Sequence, residues 1–308
     1  MLTLEEHKDG IWITRLLIAL PPQVVSIVVT LESLLQQFNP TAPLFPPSSS
    51  ILINRVSDAA PPHLQKACVA VLQVALFLQN IQVWNGPTSY GLCSNKWCHH
   101  VLFVKAGLSC PSTRLVLLEP TTATSNAVKE AIQNLGMLSD TPLLLKPNAG
   151  GFGAGVRRIG ANLEQDLQHA SSYYSDQMAL IQDYIESDLQ YRVWFLRGKV
   201  QCGIVQISNG NFASACVATT CSRQSIRAIV IPDDVRNELE EGLLPLLPDA
   251  HAGSVEFLYD KAGRRLYFDL NLLSTLPLVE RVQDAESVWG QDYDPWKEMA
   301  NAIVDMIN

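Results

Sequence analysis

The stretch that decides the fold is Pro142 to Ile159, PLLLKPNAGGFGAGVRRI, in which two apolar runs flank a loop with four glycines. Glycine lets a backbone approach a ligand closely and point successive amides at phosphate oxygens, because it has no Cβ. The loop is not a dinucleotide fingerprint, which runs from a strand into a helix, and it lacks the G-K-[ST] of a Walker phosphate loop. It bends a predicted hairpin instead. With Lys146 just before it, the loop favours a flexible flap over a triphosphate, and a mobile surface turn is the alternative.

Oxygen-bearing side chains fall on two neighbouring predicted strands near the C-terminal end. Glu256 lies on the first strand, and Asp269 and Asn271 lie on the second, after a turn at 260–264. Because side chains two apart point to one face of a strand, Asp269 and Asn271 share a face. Hard oxygen donors suit magnesium, which takes one or two carboxylates together with nucleotide phosphates. The alternative is a solvated strand face, but Asp269 lies among apolar residues, where an unpaired charge is costly.

Strand-length and helix-period segments alternate through the first 90 residues. Short β-branched runs at 24–30 and 51–56, a helical pattern at 61–79 and a buried run at 81–84 predict an α/β domain with a parallel sheet. Hairpins later in the chain, such as the turn at Arg197-Gly198, indicate antiparallel sheet, so the fold class is α/β plus α+β. Further helices are predicted at 90–106, 124–135, 163–174, 233–244 and 293–307.

Composition excludes several classes of function. With 22 Lys and Arg against 30 Asp and Glu in 308 residues, the net charge is −8, which argues against nucleic acid or an anionic membrane as the main partner. Arg15 and the pair Pro21-Pro22 interrupt the most apolar stretch before a membrane span can form. The extreme N-terminus is acidic rather than basic, so no secretory signal is expected, and a cytoplasmic location is predicted.

The cysteines favour reduced thiols in a reducing compartment. Seven is an odd count, and a chain of this length does not need disulfides for stability. Cys93 to Cys98 and Cys216 to Cys221 each enclose four residues, at the edge of zinc-knuckle spacing, even with His99 and His100 adjacent. We therefore interpret them as buried or half-buried thiols.

From about Asn85 to the C-terminus the chain resembles the ATP-grasp family, and the resemblance rests on five landmarks in order. Each landmark is a short motif that the family uses around its nucleotide. They are Lys96 between Asn85-Gly86-Pro87 and Pro111-Ser112-Thr113; Lys146-Pro147 with the glycine loop; Leu180 to Ile185 as hinge strand; Tyr191-Arg192-Val193 with Gly198-Lys199-Val200; and Asp269-Leu270-Asn271.

The resemblance implies two α+β lobes, 91–185 and 186–308, that clasp ATP behind an N-terminal α/β domain at 1–90. It also implies a role for each matching residue. The implied phosphate contacts are Lys96, Lys146 and the amides of Gly150, Gly151, Phe152, Gly153 and Ala154; adenine would meet Gln182, Asp183, Tyr184 and Ile185; Asp188 or Glu186 would hold the ribose; and Glu256, Asp269 and Asn271 would carry one or two Mg2+ ions.

The implied reaction is ATP-dependent ligation, in which a carboxylate is activated as an acyl phosphate and an amine or thiol then displaces phosphate. Arg192, with Lys146, is the predicted catalytic cation, because a guanidinium binds phosphate oxygens bidentately. Small-molecule carboxylate and amine substrates are expected. The candidate substrate contacts are Arg55, Asn211, Arg223 and, less directly, Arg227.

Departures from the family pattern leave two alternatives open. Asp269 stands where the family usually has Glu, Gln190 replaces a frequent acid, and 213–221 is unlike the peptide-glutamate ligases. A small-molecule kinase on the same scaffold is one alternative, although no dense basic cleft is evident. A nucleotide-binding protein without catalysis is the other. A homodimer is possible on either view.

Overall fold

The computed structural model describes residues 1–36, 42–45, 51–57, 60–118, 130, 133, 142–151, 153–159, 177–207 and 226–307. Within these ranges, no helix is long and apolar enough to cross a membrane. The strands form a parallel N-terminal arrangement, a four-stranded antiparallel middle sheet and a five-stranded antiparallel C-terminal sheet.

The N-terminal part is the α/β unit that the alternating pattern predicts. Strand β1 pairs in parallel with β2, β3 pairs in parallel with β4, and a single bridge between Leu2 and Asn54 joins the two pairs. Its elements are β1 (Leu2–Thr3), α1 (Ile11–Ala19), β2 (Val29–Thr30), α2 (Leu31–Gln36), β3 (Ile51–Ile53), α3 (Pro62–Gln73) with a π-helical turn at Val74–Leu78, and β4 (Gln82–Trp84).

The predicted strand at 24–30 is wrong for most of its length. Only Val29 and Thr30 form a strand, because β1 offers partners to these two residues alone. Val25 is 89% exposed, so the apolar character of the run does not correspond to burial. Local β propensity without a partner strand does not fix a strand.

The middle part carries the glycine loop. Strands lie in the order β5-β8-β6-β7, and the loop joins β6 to β7 as a hairpin, as predicted. The predicted helix 90–106 is two helices, because Asn95 caps the second by accepting a hydrogen bond from the Cys98 amide at 3.1 Å. The predicted helices at 124–135 and 163–174 lie outside the described residues, apart from 130 and 133. The elements are α4 (Pro87–Cys93), α5 (Lys96–Lys105), β5 (Thr113–Leu117), β6 (Leu143–Pro147), β7 (Arg157–Arg158) and β8 (Met178–Asp183).

The C-terminal sheet has the order β11-β10-β9-β12-β13, which makes β13 an edge strand. The hairpins predicted around 198 and 260 are confirmed. Strand β11 and helix α7 were not predicted. The elements are β9 (Leu189–Leu196), β10 (Lys199–Ile207), β11 (Ile226–Ile229), α6 (Asp233–Asn237) with a π-helical turn at Glu238–Leu243, β12 (Ala252–Tyr259), β13 (Arg265–Asn271), α7 (Ala285–Trp289) and α8 (Pro295–Ile307).

An apolar core and a polar latch join the N-terminal part to the C-terminal sheet. In the core, Trp12 of α1 packs against Trp296 of α8 with ring centroids 6.1 Å apart. In the latch, the buried Asn85 has a left-handed φ of 58°, donates to the Leu272 carbonyl at 2.9 Å and accepts from the His251 and Ala252 amides.

Asp249 and Gly86 make further contacts at this junction between the N-terminal part and the C-terminal sheet. The Asp249 carboxylate accepts from the amides of Thr88 and Ser89 at the start of α4. A Cβ on Gly86 would lie 2.4 Å from an Asp249 oxygen, so only glycine fits there. The motif Asn85-Gly86-Pro87 therefore acts in these contacts as a joint in the fold.

Candidate functional site

A cavity of about 460 Å³ lies where the three described parts of the molecule meet. The middle sheet supplies Lys146, the glycine loop supplies Gly150, Gly151 and Gly153, and the C-terminal sheet supplies Glu256, Asp269 and Asn271. The glycine loop and the acidic strands, more than 100 positions apart in sequence, thus line the same space, as the sequence analysis required. The volume is typical of a pocket for a small organic ligand.

Two lysines approach the cavity from different elements. Lys96 opens α5 and its Nζ donates to the Gly150 carbonyl, while Asn148 accepts from the backbone amides of Lys96 at 2.9 Å and Trp97 at 3.0 Å. The start of α5 therefore holds one end of the glycine loop. Lys146 on β6 is 7% exposed. Burial lowers the pKa of Lys146 to about 8, although Asp269 and Glu256 act in the opposite direction.

The acidic side chains face each other across two strands. Glu256 of β12 is directly opposite Asp269 of β13. Burial raises the pKa of Glu256, Arg192 opposes this, and the charge of Asp269 adds to it. Burial acts against ionisation of Asp269 too, but the contact with His99 and the charges of Lys96 and Lys146 hold its pKa below the usual range. When two carboxylates lie close together and the pKa of one is raised, a bound cation stabilises the ionised form of both.

A β-bulge arranges this edge of the cavity. Pairing passes from Phe257 with Tyr267 to Glu256 with Asp269, so Phe268 is an extra residue on β13. Phe268 and Asp269 consequently both line the cavity, while Tyr267 and Leu270 on either side belong to the apolar core. A bulge next to a site re-aims side chains in this way.

The donor set fits magnesium bound together with phosphate. It consists of the two carboxylates and the Asn271 amide oxygen, which also accepts from the Leu273 amide at 2.7 Å. Among the described residues, no cluster of three or more His, Cys, Asp or Glu side chains could hold a metal ion. The remaining ligands would have to come from a substrate, as is usual for Mg2+.

The predicted adenine hinge lines the cavity with fewer free amides than expected. Gln182, Asp183, Tyr184 and Ile185 are all lining residues. The Asp183 amide donates to the Ser112 carbonyl at 3.0 Å and the Tyr184 amide donates to the Pro142 carbonyl at 2.8 Å. Because those two amides already donate to backbone carbonyls, recognition of an adenine base would use carbonyl groups, side chains and the segment at Ile185.

Arg192 and Arg55 also line the cavity. Arg192 pairs with Glu256, lies 3.5 Å from the Ser274 hydroxyl, and its Nε has no hydrogen-bond partner among the described residues. Arg55 donates to the Leu273 carbonyl and lies 4.3 Å above the Trp12 ring. Each guanidinium is thus fixed by protein contacts at the rim of the space.

Several predicted residues are not brought to the site. Asp188, Glu186 and Ala154 are exposed and are absent from the described cavity lining; Glu186 pairs with Lys261 at 2.6 Å, and the Ala154 amide donates to the Gly151 carbonyl. Arg227 is a surface residue paired with Asp284 at 3.3 Å. Phe152, Asn211 and Arg223 lie outside the described residues.

Sequence reasoning missed two groups of residues. One is the N-terminal lining, which includes Thr3, His7 and Trp12. The other is His99, which lies three positions after Lys96 and therefore on the same face of α5. The three-residue spacing from Lys96 was the sequence signal that could have placed His99 near the site, whereas its neighbour Cys98 suggested a zinc ligand set. The described cysteines Cys68, Cys93, Cys98, Cys110 and Cys202 are free.

Comparison with known proteins gives the fold a name. No protein-family model matches the chain, and no curated protein matches it. Among solved structures, D-cycloserine synthetase DcsG matches with a TM-score of 0.72 and 14% identity, covering 100% of this chain and 99% of that one. The ATP-grasp ligase PsnB complexed with minimal precursor matches at 0.66 and 16%, covering 100% and 98%. D-alanine–D-alanine ligase from Bacillus anthracis complexed with ATP matches at 0.64 and 13%, covering 99% and 96%.

The chain therefore has the ATP-grasp fold along its whole length. At these identities the likeness establishes the fold, and the reaction has to be argued from the site.

Proposed function

We propose that the protein is an ATP-dependent ligase that joins a carboxylate to an amine, or to a thiol, and releases ADP and phosphate. The observation that carries this proposal is the shared cavity, in which the glycine loop and two lysines face two carboxylates and an amide. The solved structures of the same fold support it, since each is described as a ligase or synthetase.

ATP would lie between the hinge strand and the glycine loop. Its base would occupy the apolar end of the cavity beside Leu144, Ile185 and Leu258. Lys96 and Lys146 would contact the α- and β-phosphates, and the amides of the glycine loop would cover the β- and γ-phosphates. Burial disfavours the Lys146 ammonium even with Asp269 and Glu256 acting on it, so a polyphosphate would add counter-charge that stabilises the cation.

One or two Mg2+ ions would be held by Glu256, Asp269 and Asn271, and such an ion neutralises charge that develops on the phosphates. Asp269 is one methylene shorter than the usual Glu, but the bulge at Phe268 brings it to the cavity beside its partner strand. The pairing of Glu256 with Arg192 means that metal binding and the position of Arg192 are linked.

The chemistry would proceed in two displacements. A carboxylate oxygen of the substrate attacks the γ-phosphorus of ATP, the bond to the β-γ bridging oxygen breaks, and ADP leaves. The amine or thiol then attacks the acyl carbon, the carbon–oxygen bond to phosphate breaks, phosphate leaves with the electron pair of that bond, and the nucleophile releases its proton to the leaving phosphate or to water. Arg192 would hold the transferred phosphoryl group, because its guanidinium lies among the acidic residues and faces the cavity. Lys146 would offset charge on the same group.

The acceptor would occupy the end of the cavity beneath the N-terminal part. Arg55, stacked on Trp12, is the cation there, and hydroxyl groups of Ser57, Ser274 and Thr275 line the same end. A substrate with a carboxylate away from the reacting centre would pair with Arg55. Small-molecule carboxylates and amines are therefore the proposed substrates, with Asn211 and Arg223 as further proposed contacts.

Three broader statements also belong to the proposal. The chain would divide into functional units near residues 90 and 185. A cytoplasmic location is supported by the free state of the described cysteines, which is the norm in a reducing compartment. A homodimer stays a prediction.

The decisive experiment is a measurement of ADP release from ATP and Mg2+ against pooled carboxylates and amines, followed by product mass. Hydroxylamine should trap a hydroxamate, which an acyl phosphate gives and a phosphorylated alcohol does not. A stable phosphate ester would identify a kinase instead. Tight ATP binding with no ADP release across the whole panel would identify a protein that binds nucleotide without catalysis.

A further inference from the structure

His99 is a buried histidine next to Asp269, one of the acidic residues that line the cavity. The residue is 2% exposed. Its Nε2 lies 2.8 Å from the Cys93 carbonyl oxygen at the end of α4. Its Nδ1 lies 3.2 Å from Oδ1 of Asp269 and 3.3 Å from the backbone nitrogen of Leu270. One buried ring therefore touches α4 on one side and β13 on the other.

Strand β13 needs such a contact because, in the described part of the chain, no strand pairs with its outer edge. Along that edge, the Tyr267 amide donates to the Ser109 carbonyl at 2.9 Å, and the Leu270 amide faces His99. Between these two points the bulge at Phe268 interrupts the ladder to β12. A bulged edge strand is a weakly fixed platform for a carboxylate unless something else holds it.

We propose that His99 is a positioning residue that fixes Asp269 for binding of the nucleotide-bound metal ion. This inference rests on the metal site of the proposed function. Oδ1 of Asp269 is held against the ring, while the Asp269 side chain, 26% exposed, also lines the cavity. The ring also fixes the backbone one residue further on, and so sets the direction of the whole segment.

The direct contact with Asp269 requires a hydrogen on Nδ1, whereas the link between α4 and β13 exists in two arrangements of the ring hydrogens. With hydrogen on both nitrogens the ring donates to Cys93 and Asp269. With hydrogen on Nε2 alone it donates to Cys93 and accepts from the Leu270 amide. In both arrangements the ring connects the end of α4 to β13 at the residue pair that carries the carboxylate.

Two substitutions separate the contacts of the two nitrogens. In His99→Asn the amide reaches the position of Nδ1 and keeps the contact with β13 but loses Cys93. In His99→Gln the amide reaches the position of Nε2 and keeps Cys93 but loses β13. Both remove the ring, so a merely structural role predicts similar losses of melting temperature and similar effects on binding.

The readout is the affinity for ADP by calorimetry, measured in saturating Mg2+ and again in EDTA, with the ratio of the two dissociation constants as the metal-linked gain. We expect His99→Gln to lower this gain about tenfold, the size usual for residues that orient metal ligands, and His99→Asn to stay within about threefold of the wild type. The metal dependence of kcat/KM should follow the same order.

The wild type separates failure of this inference from failure of the proposed function. No metal-linked gain in the wild type would remove the metal site itself. A clear gain in the wild type that is unchanged, or equally reduced, in both variants would overturn the role of His99. Should His99→Gln not fold, histidine nitrogen NMR of the wild type decides: Mg2+ with ADP should shift the Nδ1 signal that His99→Asn lacks, and an unmoved signal would overturn the proposal.

Discussion

The two walls of the cavity are built in opposite ways. The glycine loop hangs from a hairpin in which β6 and β7 pair at only two positions, and Gly150, Gly153 and Gly155 have positive φ. The acidic wall belongs to a five-stranded sheet and is fixed by a cross-strand register, by Arg192 and by His99. Few backbone hydrogen bonds allow local opening at low free energy, whereas a packed sheet resists it. The two walls therefore differ in how firmly the backbone is held, the glycine loop by few ladder hydrogen bonds and the acidic wall by a packed sheet.

The largest expected effect comes from removing the cation at the base of the loop. Lys146→Ala should lower the rate of ATP turnover by about 10²- to 10³-fold, because a preorganised charge facing the phosphates is lost. The melting temperature should not fall, since a buried ammonium is removed. ADP release measures the first, thermal melting the second. Lys199→Ala, an exposed lysine paired with Glu240, is the matched control. An unchanged rate with every acceptor would remove Lys146 from the site.

On the opposite wall, Asp269→Asn should raise the Mg2+ concentration needed for half-maximal activity by about tenfold or more, because an amide is a weaker ligand than a carboxylate. A magnesium titration of ADP release checks this. Asp305→Asn is the control, since Asp305 is an exposed acid paired with Arg197 away from the cavity. Identical titrations for Asp269→Asn and the wild type would contradict the metal assignment.

The depressed pKa of Lys146 gives a pH dependence with opposite signs for binding and for stability. Nucleotide affinity should be constant below pH 8 and fall as pH rises through about 8, by up to about tenfold per unit, because the ammonium is lost. The folded pKa of about 8 lies below the ordinary 10.5, so the unfolded chain binds more protons between these values. The contribution of this group to stability therefore rises with pH across that window. Calorimetry and melting curves should both lose these slopes in Lys146→Ala.

The last prediction tests the glycine loop itself. At Gly150 φ is +125° and a Cβ would meet nothing within 4 Å, so Gly150→Ala adds backbone strain without a collision. A strain of about 1–2 kcal/mol corresponds to a rise of roughly five- to thirtyfold in KM for ATP if the loop must keep this conformation when closed. Gly263→Ala is a matched control, because Gly263 has φ +77°, equally open surroundings and a place in a distant turn. Equal KM values in the two variants would mean that the loop does not close on ATP.

The sequence predicted the fold and most of the cavity because those signals are local. Each of three motifs can be recognised from a few consecutive residues: the glycine loop, the hinge strand, and the pair Asp269 and Asn271. The lysines and acids meet in one space because the ATP-grasp topology brings them together, which the ordered landmarks captured. The hairpins of the second half follow from turn residues and alternating patterns.

What the sequence did not predict depends on contacts between distant segments. The contact between His99 and Leu270 joins positions 171 apart, and the latch from Asn85 to Leu272 joins positions 187 apart. The sequence around Phe268 predicts a regular strand and gives no sign of the bulge there. Asp188 and Glu186 were assigned to the ribose from their order in the chain, but their side chains point to solvent where the hinge leaves the sheet.

The contacts of Asn85 and the tryptophan contact between α1 and α8 determine which parts of the cavity wall are fixed relative to each other. Together they join the N-terminal part, which lines one end of the cavity, to the C-terminal strands that present the acids. Among the described residues, the middle part contacts that block through His99 of α5 against β13 and through the Ser109 carbonyl, which accepts from the Tyr267 amide. A movement of the glycine loop would therefore leave the spacing between the N-terminal end of the cavity and the acidic strands unchanged.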